Sequence, residues 1–175
     1  MKLGFFAANY AHMSLEEVAK VMAEHGYEMM EIPAYSGCEQ FDCNEYIGQP
    51  AKAAELKKML KSYGIEISAL SNHADSLLIL GPHTYDTDKL CPGTKEEKIK
   101  YGTENLLKSA QAANALEVPV VNGFTGVTNW GRYFPFPCAD GWDLMEKEFA
   151  ELFVPILDKF KEYGVKFAVE PHPNN

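Results

Sequence analysis

A single junction recurs three times in this chain. At His25-Gly26-Tyr27, Tyr63-Gly64-Ile65 and Tyr163-Gly164-Val165, a stretch with helical periodicity stops at a glycine and a strand-like apolar run begins. Glycine adopts the left-handed backbone that closes a helix, so each junction turns the chain within a few residues. Helices that feed directly into strands, repeated along a chain, lead to βα units around a parallel sheet. The reading is βαβαβαβαβ. Strands are expected over 2–8, 27–33, 65–71, 118–122 and 165–170. Helices are expected from Ser14, whose Glu17 completes a capping box, and over 51–63, 95–115 and 142–163. On the second helix, Ala54, Leu56, Met59 and Leu60 are expected near one face. Residues 72–93 and 123–140 read as long loops, which in compact domains usually carry function.

The 175 residues carry no low-complexity linker, so they are expected to form a single domain, 1–175. Lys plus Arg is 16 against 25 Asp plus Glu, a formal net charge of −9, which argues against a nucleic-acid or membrane-surface partner. No apolar run is long enough to span a bilayer, and no signal peptide is visible. The four cysteines form no C-x-x-C pair and read as free thiols in a reducing cytoplasm.

Five parallel strands fit either an open doubly wound sheet or the first part of an eight-stranded barrel, which usually needs roughly 250 residues. A doubly wound nucleotide binder should show a glycine-rich phosphate turn after the first strand. Ala8-Asn9-Tyr10-Ala11 stands there instead. The long loops follow strands three and four at their C-terminal ends, the face where barrels carry their active sites. The expected fold is therefore α/β, the first five strands of a TIM barrel, incomplete as the chain stands. Its first and fifth strands would be open edges, inviting assembly with another copy.

Polar side chains collect at those strand ends: Glu31, Asn122, Glu170 with His172, and Asn72 with His73. Lys166, Ala168 and Glu170 share one face of the last strand, which aims Glu170 into the barrel mouth. A carboxylate there serves as a metal ligand or general base, or simply pairs with a neighbouring lysine. His73 reads as a site histidine or a surface one. His172 is held between two prolines, which suits placing an imidazole and also suits turning the chain. Trp130, with Tyr133, Phe134 and Phe136, offers a wall for a sugar face, or loop packing, or a subunit contact.

Together these stretches resemble the sugar phosphate isomerase/epimerase group, the xylose-isomerase-like TIM barrels. The resemblance runs through Lys2-Leu3-Gly4-Phe5, the segment Gly26 to Ile32, the segment Gly64 to His73, Val120 to Gly126, and Gly164 to Pro173. No one motif decides it; order and spacing do. The resemblance implies a divalent ion (Mn, Mg, Co or Zn) held by two Glu, one Asp and one His. Glu170 matches the first Glu, and the other three ligands belong to strands beyond this sequence. It also implies a sugar or keto-sugar substrate, isomerised or epimerised by proton transfer next to a carbonyl. His73 and Glu170 would then be catalytic, and Glu31, Asn122, Trp130 and His172 would bind substrate. Two rivals stand beside it: an apurinic endonuclease-like phosphodiesterase on the same barrel, disfavoured by the charge, and a non-catalytic truncated barrel acting as an assembly subunit.

Overall fold

In the computed structural model, which describes residues 1–128 and 141–172, the helix–glycine–strand junctions form as the sequence predicts. Gly26, Gly64 and Gly164 have φ of 79°, 75° and 69°. At each, two backbone bonds reach back into the helix, as in Tyr27 N donating to Met22 O (3.1 Å) and Ile65 N to Leu60 O (3.0 Å). The strands are β1 (Gly4–Phe6), β2 (Met29–Pro33), β3 (Glu66–Ser71), β4 (Val120–Gly123) and β5 (Lys166–Val169). The helices are α1 (Leu15–Glu24), α2 (Pro50–Ser62), α3 (His73–Leu80), α4 (Lys95–Leu116) and α5 (Gly141–Glu162).

The strands form one all-parallel sheet in the order β1-β2-β3-β4-β5, each paired with its neighbour in sequence. β1 and β5 are not hydrogen-bonded to each other, so among the described residues the sheet stays open. One face is covered by helices. Met30, Ile32, Leu70 and Val121 are wholly buried there, in one core with Val18 of α1, Leu60 of α2, Leu106 of α4 and Phe153 of α5. Phe167 of β5 stacks on Phe153 and meets Phe160 edge-on, which fixes the helical side of that strand. Among the described residues, no helix is long and apolar enough to cross a membrane.

Two local expectations are revised, and one buried lysine is new. Residues 72–93 are not a plain loop, since α3 occupies His73–Leu80 and a short 3-10 turn Tyr85–Thr87. On α2 the buried alanine is Ala53, not Ala54, because the stripe runs through Ala53, Leu56 and Leu60. On α4 the first buried side chain is Lys98, 1% exposed, whose Nζ donates to Thr84 O (2.8 Å), Thr87 Oγ1 (3.0 Å) and Asp88 Oδ1 (2.6 Å). It ties down the turn after α3, and the three acceptors satisfy an ammonium that would otherwise be costly to bury.

Candidate active site

The site begins with side-chain alternation. Met30, Ile32, Leu70, Val121 and Phe167 pack toward helices, so Glu31, Asn122, Ala168 and the following Glu170 belong to the opposite, inner face. Asn122 Nδ2 donates to Glu31 Oε1 (3.3 Å), a bond that passes from β4 to β2. It crosses β3 near Ala69, the register partner of Glu31, where a small side chain leaves room. The buried Oδ1 of Asn122 has no hydrogen-bond partner among the described residues, leaving one unmet acceptor beside the carboxyl of Glu31.

One layer higher, His73 Nε2 donates to Glu170 Oε2 at 2.9 Å. The imidazole is mostly buried (19% exposed) and the carboxylate half-open (46%). The two arrive from different elements. Glu170 follows β5 and is fixed by its own N–H, which donates to Gly123 O (3.0 Å). His73 is the first residue of α3. Asn72, which caps α3, donates its backbone N–H to Asn122 O (2.8 Å), so the His73–Glu170 and Asn122–Glu31 pairs share a frame at the end of β4.

Aromatic rings bracket the histidine. Phe6 lies 5.9 Å from the His73 ring at 72°, and Phe124 lies 4.5 Å from it at 51°. Phe124 also lies 5.0 Å from the ring of His172, so His172 reaches the site through Phe124. Of the residues singled out from sequence, Glu31, His73, Asn122, Glu170 and His172 therefore gather at one end of the sheet. Trp130, with Tyr133, Phe134 and Phe136, lies outside the described residues. Phe6 and Phe124 were not anticipated: a phenylalanine beside a strand reads as core, and no spacing rule separates it from a site wall.

Close approach of backbone segments makes this frame possible. A Cβ on Gly123 would come within 2.6 Å of Asn72 O and 2.7 Å of Ser76 Oγ, so only glycine lets the start of α3 lie against β4. Ser76 Oγ donates back to Asn72 O (2.5 Å) within that contact.

A separate cleft of about 350 Å³ opens between the chain after β2 and α4, lined by Tyr35, Cys38, Asp42, Tyr101, Asn105 and Lys108 among others. Several of its polar groups are already bonded within the protein: Tyr101 OH to Ser36 Oγ (2.8 Å), Lys108 Nζ to Asn105 Oδ1 (3.2 Å) and Asn105 Nδ2 to Tyr101 O (3.1 Å). Cys43, also at its wall, is buried, which pushes its thiol up to about 12. Those internal bonds commit part of its polar lining to the protein itself.

Glu170 and His73 supply the donor types that a divalent ion of the Mn, Co or Zn kind accepts. Their number is short of a site: among the described residues no three His, Cys, Asp or Glu side chains converge. An ion held here needs further donors from elsewhere.

The family comparison agrees with this layout. The family model for the xylose isomerase-like TIM barrel matches residues 19–175. Among solved structures, the probable 3-DHS dehydratase AsbF from Bacillus anthracis is 18% identical with a TM-score of 0.62, over 99% of this chain and 53% of its own. A D-psicose 3-epimerase is 16% identical with a TM-score of 0.61, over 100% of this chain and 56% of its own. The IolI protein, solved with a bound zinc atom, is 18% identical with a TM-score of 0.56, over 97% of this chain and 52% of its own. No curated protein sequence matches the chain. The chain thus spans little more than half the length of these structures, and the likeness speaks to the fold. Five parallel βα strands in sequential order, with their polar residues at the C-terminal ends, and a family match over most of the chain make it a member of the xylose isomerase-like TIM barrel family.

Proposed function

We propose that this chain provides the first five strands of a sugar or keto-sugar isomerase or epimerase that moves a proton next to a carbonyl. The observation carrying the reading is the His73–Glu170 pair at 2.9 Å, set at the C-terminal end of the sheet beside Glu31 and Asn122. A histidine in contact with a carboxylate can hold a proton at Nε2 and exchange it with a bound hydroxyl. Glu31 and Asn122 offer carboxylate and amide groups for sugar hydroxyls, and Phe6 and Phe124 give an apolar surface against which C–H faces of a sugar pack. His172, against Phe124, closes the outer side of that wall.

Glu170 is this chain's contribution to a divalent-ion site of Mn, Mg, Co or Zn, whose remaining ligands come from outside the described residues. Such an ion, when bound, polarises a carbonyl and stabilises the negative charge that develops on its oxygen. Isomerase and epimerase chemistry is supported by the D-psicose 3-epimerase among the structural neighbours. The free thiols of Cys38, Cys43 and Cys91 support a reducing, cytoplasmic setting.

Deuterium exchange tests the reading. The protein is incubated with a panel of ketoses in D2O and Mn²⁺, and label is sought at the carbon beside the carbonyl. Exchange is expected, abolished by Glu170→Ala and reduced by His73→Gln. Failure to label any ketose at protein concentrations spanning its self-association would sink it. A second reading, favoured by the edges of β1 and β5 that stay unpaired among the described residues, is an assembly subunit that acts through a second copy. Light scattering distinguishes the two: a stable dimer without exchange favours the subunit role.

A further inference from the structure

We propose that Asp75 is a positioning residue: through Ser36 it fixes the first turn of α3, and with it the His73 imidazole, against Glu170. The inference rests on the reading of His73 and Glu170 as the working pair.

Among the described residues the His73 ring has one polar partner, Glu170, and that partner sits at the open edge of the sheet. Besides the packing of Phe6 and Phe124, its direction rests on its own helix. Two buried side chains anchor that helix. Asn72 is wholly buried; its Oδ1 accepts from Asp75 N (3.0 Å), and its Nδ2 donates to Ser109 Oγ (2.8 Å) and Ala34 O (3.3 Å). Asp75 is 2% exposed, and among the described residues no cation forms an ion pair with it. Its carboxyl group instead takes both donors of one residue, Ser36 N to Oδ2 (2.7 Å) and Ser36 Oγ to Oδ1 (2.5 Å). Ser36 Oγ in turn accepts from Tyr101 OH of α4 (2.8 Å).

Burying a carboxyl without a cation is expensive, and an apolar side chain would pack the same space for less. What the carboxyl supplies is direction: two short bonds that set the angle between α3 and the chain leaving β2. That chain follows directly from β2, which carries Glu31. The Asp75–Ser36 link therefore holds the helix that carries His73 in register with the strand that carries Glu31, as a supporting shell must do for side chains to meet within a few tenths of an ångström.

The measurement is NMR of the full chain with ¹³C-labelled histidine. The rings of Phe6 and Phe124 displace the His73 Hε1 and Hδ2 shifts from free-histidine values, and His73→Gln assigns them. Asp75→Asn and Ser36→Ala are expected to remove roughly half or more of that displacement. Ser36→Thr, which keeps the hydroxyl, should restore it. Val18→Ala, a destabilising control in α1, should leave it in place. His83, half-buried and bonded to Leu78 O, reports in the same spectra that each variant is folded. An unmoved His73 signal in folded Asp75→Asn or Ser36→Ala protein overturns the proposal. So does unfolding of both, which would make the link a requirement of the fold and not of the ring. Glu170→Ala separates this from the functional reading: ketose exchange that survives it sinks that reading whatever Asp75 does, and exchange lost with the His73 shifts in place keeps both.

Discussion

The two partners of the central pair stand on different ground. His73 belongs to the middle of the molecule, where Ala34 O accepts from both Asn72 Nδ2 and Ser109 Oγ, and Ala34 N donates to Ser71 O. Glu170 belongs to the edge, where three of the four residues of β5 are exposed and Val169 is 51% open. The difference teaches where the site is finished and where it is not. The β2–β3–β4 centre is a buried scaffold with Asn72 and Ser109 bonded inward, and its unmet acceptors among the described residues, Ser71 Oγ and Asn122 Oδ1, lie at the site end. The β5 edge is held by its pairing with β4 and by α5 through Phe153, Phe160 and Phe167, and offers its carboxylate outward.

The sharpest way to break this contrast is Phe153→Ala. Phe153 is fully buried and stacks on both Phe149 and Phe167. Its loss should destabilise by about 3–5 kcal/mol in urea unfolding. Hydrogen exchange should show β5 losing protection before β3; equal loss in both strands would erase the distinction. Gly123→Ala attacks the centre instead. A Cβ there overlaps Asn72 O and Ser76 Oγ, both tied into the α3 start, so about 1–3 kcal/mol should be lost and β3 should be the strand that opens.

A pH effect comes next. Burial lowers the affinity of His83 for a proton, and its Nε2 already donates to Leu78 O (2.8 Å). The folded value lies below the unfolded one. Above the unfolded value, near 6.5, both states are neutral and the histidine is silent. As the pH falls below that value the unfolded chain takes up the proton first, so stability drops until the folded value is passed. His83→Gln should flatten that decline in a series of urea midpoints; an unchanged slope would assign it to other groups. The smallest effect should be a gain. Glu117 closes α4 with φ of 59°, a backbone that glycine adopts freely, and it pairs with Lys57 at the surface. Glu117→Gly should raise Tm slightly, because the exposed ion pair contributes little.

The same division governs what could be read from the sequence. The three helix–glycine–strand junctions and the Ser14–Glu17 capping box are local events, and local chemistry specifies them. So is the alternation in β5, which correctly turned Phe167 toward α5 and left Glu170 on the other face. α3 was hidden because Ser76-Leu77-Leu78-Ile79-Leu80 has no polar stripe: packed between α4 and β4, it needs none. The depth of Lys98 was hidden because its three acceptors come from another loop. Glu31, Asn122, His73 and Glu170 were legible as polar residues at strand ends. Their pairing was not, because it depends on strands that are distant in sequence and adjacent in space.

The order β1-β2-β3-β4-β5 has a consequence for synthesis. Among the described strands, each from β2 to β5 pairs with the one made just before it, so none of these pairings waits for a segment not yet translated. Each βα unit leaving the ribosome finds its docking surface already formed, and the chain can grow by addition from its N-terminal end. In that sequence of events α3 settles before β5 exists. His73 is in place when Glu170 emerges, and the pair closes as β5 docks on β4.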